Sequence, residues 1–467
     1  MDAHVLASTL RPRLADVEEG RFGRLFPELD PEPSDERALL ALGAAGGPLE
    51  AVSALPGEAD NPRIAAGWAF FGQFVAHDVT HDRAPLQRHE DTATLRNYRS
   101  PRLDLECVYG AGPVGQPYLY DLDDGDKLLV PSSDDVPRNH QGRGLVADAR
   151  NDTHLFVSQL HLALLRFHNR IVDHVRARGV QGELVLAEAQ RLARWHYQWI
   201  VTNEYLPLSV GDELLADLEA NGPRVCRFGG RPFIPVEFSD GAFRFGHSQV
   251  RSSYAVNAGA RDVPLFPELV GSRPVTPEWV VDWTELFACP GRPAPQPSRR
   301  IGARLAGPLL RLPERLVGDT EPSLAARDLE RGRSVDLPSG EAVAHALGLT
   351  PCTHGELGLE GVTWPGETPF WLYVLLEAER QEDGLRLGEV GGRIVAEVLL
   401  GLLDADPGSY RRAAPGWRPE LPGADPGRFT MADLLAFAGL LPAPQLGGAP
   451  RRSTFSARHL HGLPPGN

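Results

Sequence analysis

Gln73, His77, Asp78, His81 and Asp82 crowd the end of a nearly continuous apolar run, IAAGWAFFGQFVAHDV. If that run is helical, Gln73 and His77 are four apart and leave one face, whereas Asp78 is rotated about a quarter turn away. An imidazole beside an amide can take up and return a proton near neutral pH. The carboxylate, aimed elsewhere, is free for a different task. A lone buried histidine is ordinarily satisfied by a backbone carbonyl, but this many polar groups at one helix end need more compensation than that.

Downstream, Ser100, Arg102, Asp104 and Glu106 alternate in SPRLDLECVYG. Alternate residues of an extended chain point to one side. Hydroxyl, carboxylate and backbone oxygens gathered this way suit Ca²⁺, a hard ion that takes about six to eight oxygen ligands, and Asp78 could complete the set. The same alternation also describes a solvated edge strand. Arg150, in ADARNDTH, and His247, in FRFGHSQV, are unremarkable one at a time. Gly246 leaves the backbone beside His247 open to a flat group.

The elements that must hold these residues are mostly helical. Ile64 to Val79 is apolar nearly all round, which predicts a buried helix. In VSQLHLALLRFHNRIVDHVRAR, Leu160, Leu164, Phe167, Ile171 and Val175 recur at spacings of three and four, a second helix that Gly179 stops. A third is predicted through LAEAQRLARWHYQWIVTNEYL, with Leu192, Trp195, Trp199 and Ile200 inward and Pro207 at its end. EAVAHALGL, PFWLYVLLEAE, VGGRIVAEVLLGLLDA and MADLLAFAGLL add shorter helices, and only FIPVEF and FRFGH have strand character. The class is mainly α with little β. The turn-rich stretch after the first helix is long enough to be functional or bound to something. Residues 1–60 read as an arm over one large domain, 61–467, since no repeat or Ser/Gly linker divides the chain.

Composition removes other chemistries. The 467 residues carry a net charge of −15 and no basic run, so nucleic acid is not an expected partner. Lys127 is the single lysine and follows Asp126, which excludes a GK[ST] phosphate loop and argues against Schiff-base catalysis. The four cysteines form no CxxC pair and are expected to be free thiols. No apolar stretch is long enough for a transmembrane segment. The first twenty residues lack a basic region followed by an apolar one, so a cytoplasmic location, or export without a readable signal peptide, is expected.

Taken together, these pieces resemble the animal-type haem peroxidases of the peroxidase and cyclooxygenase superfamily. The resemblance rests on GQFVAHD, on the interval from Arg150 to Arg170 in ARNDTHLFVSQLHLALLRFHNR, on RFGH, on SPRLDLECVYG and on LAARDLERGRSVDLPSG. It spans about residues 60–400 and implies a single large helical haem peroxidase domain. It implies His247 as the axial iron ligand, His77 as proton shuttle, Arg150 as the stabilising cation and Gln73 as the residue orienting water or halide. Ca²⁺ would bind through Asp78, Ser100, Arg102, Asp104 and Glu106. Asp328 and Arg331, with Arg244, fall where the family supports the proximal histidine and the haem. The implied reaction reduces H2O2 and oxidises a small aromatic or halide donor through a ferryl intermediate. In this chain Ala76 and Thr153 replace the two carboxylates that esterify haem in many members, Asp152 is out of register for that link, and His154 stands where one branch has methionine. Non-covalent haem b is therefore expected, and chloride oxidation is not.

Three rivals remain at this level. A fatty-acid dioxygenase of the same superfamily needs a tyrosine three residues before the proximal histidine, where this chain has Arg244. A metal phosphohydrolase built on HDVTHD leaves Arg150 and His247 without a task. A non-catalytic binding module leaves an intact His77, Arg150 and His247 unexplained.

Overall fold

The apolar run ahead of His77 forms a helix buried on almost every side, as its composition requires. The computed structural model describes residues 20–51, 59–82, 92–228, 231–358 and 366–441. The helices used below are α1 (Glu36–Gly43), α2 (Gly67–Val79), α3 (Leu155–Ala177), α4 (Leu184–Ile200), α5 (Leu206–Val210), α6 (Asp212–Asn221), α7 (Leu324–Ser334), α8 (Gly340–Ala346), α9 (Phe370–Glu382), α10 (Glu389–Ala405) and α11 (Met431–Phe437). Strands are short. β1 (Gly20–Gly23) pairs antiparallel with β3 (Arg96–Asn97) and parallel with β4 (Ile234–Pro235). β2 (Asp60–Ala65) pairs with β7 (Pro297–Arg299), and β5 (Ser253–Tyr254) with β6 (Val263–Pro264).

One hydrophobic core runs through these helices. α3 packs on α4, α2 on α3 and on the segment around His247, and α7 on α1 and α9. Phe22, Phe26, Leu39, Leu42 and Leu49, from the stretch read as an arm, are buried in the same core. Gly179 ends α3 as expected, with a φ of 89° that a side chain would resist. Among the described residues no helix is long and apolar enough to cross a membrane.

Two local expectations are corrected. Pro207 does not end the third helix: after α4, Val201–Tyr205 widen into a π turn, and α5 runs through Pro207 to stop at Gly211, whose φ is 85°. Proline in a helix's first turn has no intrahelical N–H bond to lose, and the π turn before it resets the backbone pairing. FRFGH is not a strand. It lies in a 3-10 helix, Ala242–Gln249, entered by a π turn at Glu237–Gly241. The alternation of Phe243 and Phe245 that suggested a strand comes from packing instead, with Phe243 stacked on Phe238 at 4.5 Å between centroids. FIPVEF contributes only the two-residue β4.

Candidate active site

α2 carries Gln73 and His77 on one face, and its opposite surface is anchored in the core by Trp68, Phe71 and Phe74. Asn97, from β3, clasps the helix end: its Nδ2 donates to the Val79 carbonyl at 2.8 Å and its Oδ1 accepts from the His81 N–H at 2.7 Å. Gln73 is exposed, while His77 is buried and places Nδ1 2.8 Å from Asn151 Oδ1. Burial, followed by the charge of Arg150, pushes the His77 imidazole down to about 3, so it is neutral at physiological pH. A neutral imidazole is the form that can accept a proton.

Arg150 sits in the 3-10 turn Ala149–Asp152, capped by the Asp148 side chain. The Asp148 carboxylate accepts from Arg150 Nε at 3.0 Å and Nη2 at 2.8 Å, and Nη2 also donates to the carbonyls of His77 (3.0 Å) and Thr80 (2.6 Å). The guanidinium is thereby fixed against the last turn of α2. On its other side Asp148 meets buried Arg99 at 2.7 Å, and Arg99 meets Glu106 at 3.0 Å. Burial alone would raise the Asp148 carboxyl, but its two arginines outweigh burial and hold it well below the usual carboxylate range. Thr153 donates its hydroxyl to the Arg150 carbonyl at 2.8 Å. Asp152 is held by both terminal nitrogens of Arg138, at 2.8 and 2.9 Å, and by the Gly144 N–H.

The second wall is built from the 3-10 helix and α7. His247 Nδ1 lies 2.6 Å from Asp328 Oδ2, leaving Nε2 for a ligand, and Gly246 has open space where a Cβ would stand. Asp328 is fully buried, which favours its neutral form, yet His247 and Arg244 keep it ionised and below its ordinary range. Arg244 donates to Asp328 Oδ1 and to Asp240 Oδ1, both at 2.8 Å, and Arg331 Nε reaches the same Asp240 oxygen at 3.0 Å. Arg331 also pairs with Asp82 at the end of α2. Burial pushes the Arg331 guanidinium down to about 10, which still leaves it a cation at physiological pH.

In the loop after α2, Asp78 accepts from the N–H groups of Leu105 and Cys107 at 3.1 and 3.3 Å. Asp104 accepts from the Ser100 hydroxyl at 3.2 Å. Burial, then the charges of Asp104 and Glu106, pushes the Asp78 carboxyl up to about 8, and burial raises Asp104 to about 6. Glu106 is engaged elsewhere, with Arg99 and the Ser100 N–H, and the Arg102 side chain turns toward Asp406 at 3.9 Å. Among the described residues no group of three or more His, Cys, Asp or Glu side chains stands at metal-binding separation.

Between the two walls lies a cavity of about 280 Å³ lined in part by Thr80, Asp82, Arg150, Asp240, Arg244 and Arg331. The structure therefore brings neighbours of His77 and neighbours of His247 to one polar space. Sequence reasoning missed Arg99, Asp148, Asn151 and Asp240. Asp148 alone left a trace, an aspartate at a capping position two residues before Arg150. The others have partners that no spacing rule singles out: Asp240 holds Arg244 four residues on and Arg331 across the cavity wall, and Arg99 reaches Asp148 from a separate loop.

A family model described as animal haem peroxidase matches residues 87–356, a stretch that begins after GQFVAHD and includes Arg150, His247 and Asp328. Chorion peroxidase of Drosophila melanogaster is 24% identical over 357 residues, 70% of this chain and 41% of its own length. Lactoperoxidase of Homo sapiens is 31% identical over 114 residues, 23% of this chain and 15% of its own. The chain thus spans less than half the length of these curated relatives. Among solved structures, peroxidase A from Dictyostelium discoideum covers 85% of this chain and 89% of its own with a TM-score of 0.63 at 16% identity. A fatty acid alpha-dioxygenase of Oryza sativa covers 80% and 74% with a TM-score of 0.59 at 15% identity, and at such identities the likeness is one of fold.

Proposed function

The chain belongs to the animal haem peroxidase family, a family that implies haem, and from that premise we propose that it reduces H2O2 at a haem b and oxidises a small aromatic or halide donor. The observation that carries this reading is an arginine-lined cavity whose walls come from the neighbours of two histidines: His77, neutral and beside Arg150, and His247, bound through Nδ1 to a buried carboxylate. The residues fit the cofactor. His247 keeps Nε2 for iron, Gly246 leaves room for a flat ring, and Arg331 and Arg327 line the cavity as partners for acidic ring substituents.

Bound there, haem supplies the iron centre at which the peroxide bond is broken and the oxidising equivalents are held. His77 takes a proton from the incoming peroxide at Nε2 and returns it to the departing oxygen. Arg150 supplies a fixed cation where charge develops, a task that needs a group charged at any pH. Gln73, exposed on the His77 face, orients water or halide. Asp328, accepting from His247 Nδ1, would make that imidazole a more basic donor and lower the potential of an iron it held, an effect that Arg244 would temper by sharing the carboxylate.

Non-covalent attachment follows from Ala76, from Thr153, whose hydroxyl is spent on the Arg150 carbonyl, and from Asp152, whose carboxylate is held by Arg138. Ca²⁺ is proposed at Asp78, Asp104, the Ser100 hydroxyl and loop backbone oxygens, because a buried carboxyl at Asp78, raised further by the negative charges of Asp104 and Glu106, favours a shared cation. Glu106 and the Arg102 side chain serve that loop from outside, Arg102 contributing through its backbone. The dioxygenase reading has its hydrogen-abstracting position filled by Arg244, locked between Asp240 and Asp328.

The test is one spectrum. Haem-loaded protein should show a Soret band that shifts on one equivalent of H2O2 and returns when a phenol is added, and acid acetone should extract the haem unmodified. Protein that binds haem and ignores peroxide would refute the enzyme reading. Haem that resists extraction would refute the non-covalent one.

A further inference from the structure

Asn151 is fully buried in the turn that carries Arg150, and its amide stands between two histidines. Its Oδ1 is 2.8 Å from His77 Nδ1, and its Nδ2 is 3.2 Å from Nδ1 of His161, itself buried on α3. A carboxamide is an acceptor at one end and a donor at the other, whereas a neutral imidazole carries its proton on one nitrogen only. An amide set between two Nδ1 atoms therefore forces the rings into opposite tautomers. With Oδ1 facing His77, that ring donates from Nδ1–H and Nε2 is bare, while His161 accepts at Nδ1 and keeps its proton on Nε2.

We infer that Asn151, backed by His161, is a positioning residue that holds His77 in the tautomer with a bare Nε2. The inference deepens the proposed function, on which its catalytic consequence rests: only a bare Nε2 can take the peroxide proton, and a ring turned to the other tautomer presents a hydrogen instead. The device is intrinsic to the protein. It is built from a turn and a helix that are packed together, and His161 ties the amide's orientation to the tautomers: the amide turns over with its bonds intact only if both rings exchange their protons between nitrogens at once.

The relay is read directly on full-length, haem-free protein labelled with ¹⁵N-histidine, using long-range ¹H–¹⁵N spectra assigned through His77→Gln and His161→Gln. The expected pattern is a protonated Nδ1 and bare Nε2 for His77, and the reverse for His161. Asn151→Ala should move His77 toward the Nε2–H form, while Asn151→Asp, which keeps an acceptor in place, should preserve Nδ1–H. After haem loading, Asn151→Ala should slow the reaction with H2O2 by roughly 10- to 100-fold, and Asn151→Asp should restore most of the loss. The inference is overturned if wild-type His77 carries its proton on Nε2, or if Asn151→Ala folds and leaves the His77 pattern unchanged. Should Asn151→Ala fail to fold, the wild-type tautomers and Asn151→Asp still decide. The expected tautomers in a chain that never reacts with peroxide would uphold the relay and defeat the peroxidase reading.

Discussion

Each candidate functional side chain is governed by the partner that holds it. Asp328 is the clearest case, since His247 Nδ1 and Arg244 share its two oxygens. Asp328→Asn keeps an acceptor for the imidazole and removes its charge, so the reduction potential of the bound iron should rise by about 60 mV, the equivalent of a tenfold change for one electron. Spectroelectrochemical titration measures it, and an unchanged potential would sink the assignment. Arg150→Lys retains a cation but cannot reproduce the fork that meets Asp148 and the carbonyls of His77 and Thr80. Its rate constant with H2O2 should fall by roughly 100-fold, read by stopped-flow absorbance. The candidates His77, Arg150 and His247 stand out in the sequence because proton transfer, charge stabilisation and iron ligation, the roles proposed for them, each demand a particular residue type. Asn151, Asp148 and Arg99 do not, since an amide or an ion pair declares its use only through its partner.

The helices place these groups through close backbone contacts as much as through side chains. A Cβ at Gly43 of α1 would stand 2.4 Å from the Ala326 nitrogen of α7, the helix that bears Asp328 and Arg331. Gly43→Ala should wedge the two apart, costing about 1–3 kcal/mol in a denaturant titration and weakening haem retention with no change at any ligand. The loop after α2 acts on the other wall, because Glu106, Arg99, Asp148 and Arg150 form one chain of ion pairs. Chelating the proposed Ca²⁺ should lower the thermal midpoint and slow the peroxide reaction while the spectrum of the His247-ligated ferrous form is retained. The periodic helices α2 and α3 were readable from apolar spacing. The π turns at Val201–Tyr205 and Glu237–Gly241 were not, because their extra residue is tolerated by packing rather than encoded by any local preference.

At the scale of the whole molecule, two carboxylates far from the cavity set a pH dependence. Glu204 receives the Met431 N–H at the start of α11, and Glu377 receives those of Val390 and Gly391 at the start of α10. Burial pushes each up to about 7. Between about pH 4.5 and 7 these two groups hold protons in the folded chain that they have lost in the unfolded chain, so their contribution to stability falls as pH rises through that window. The stability of the wild type relative to the Glu204→Gln, Glu377→Gln pair, read by denaturant titration, should decline from pH 5 to pH 7.5, a difference in which the buried histidines, whose lowered values act in the opposite sense, cancel because both proteins contain them. A pH slope unchanged by both substitutions would place its origin elsewhere.

The ion pair between Asp82 and Arg331 joins the end of α2 to α7, two elements nearly 250 residues apart whose side chains line the same cavity. An acidic ring substituent arriving at Arg331 must exchange places with Asp82 instead of finding an idle cation. The pair thus weighs against the proposed cofactor both on entry and at equilibrium: Asp82→Asn should shorten the time course of haem uptake, followed by Soret absorbance, and raise the occupancy reached at limiting haem.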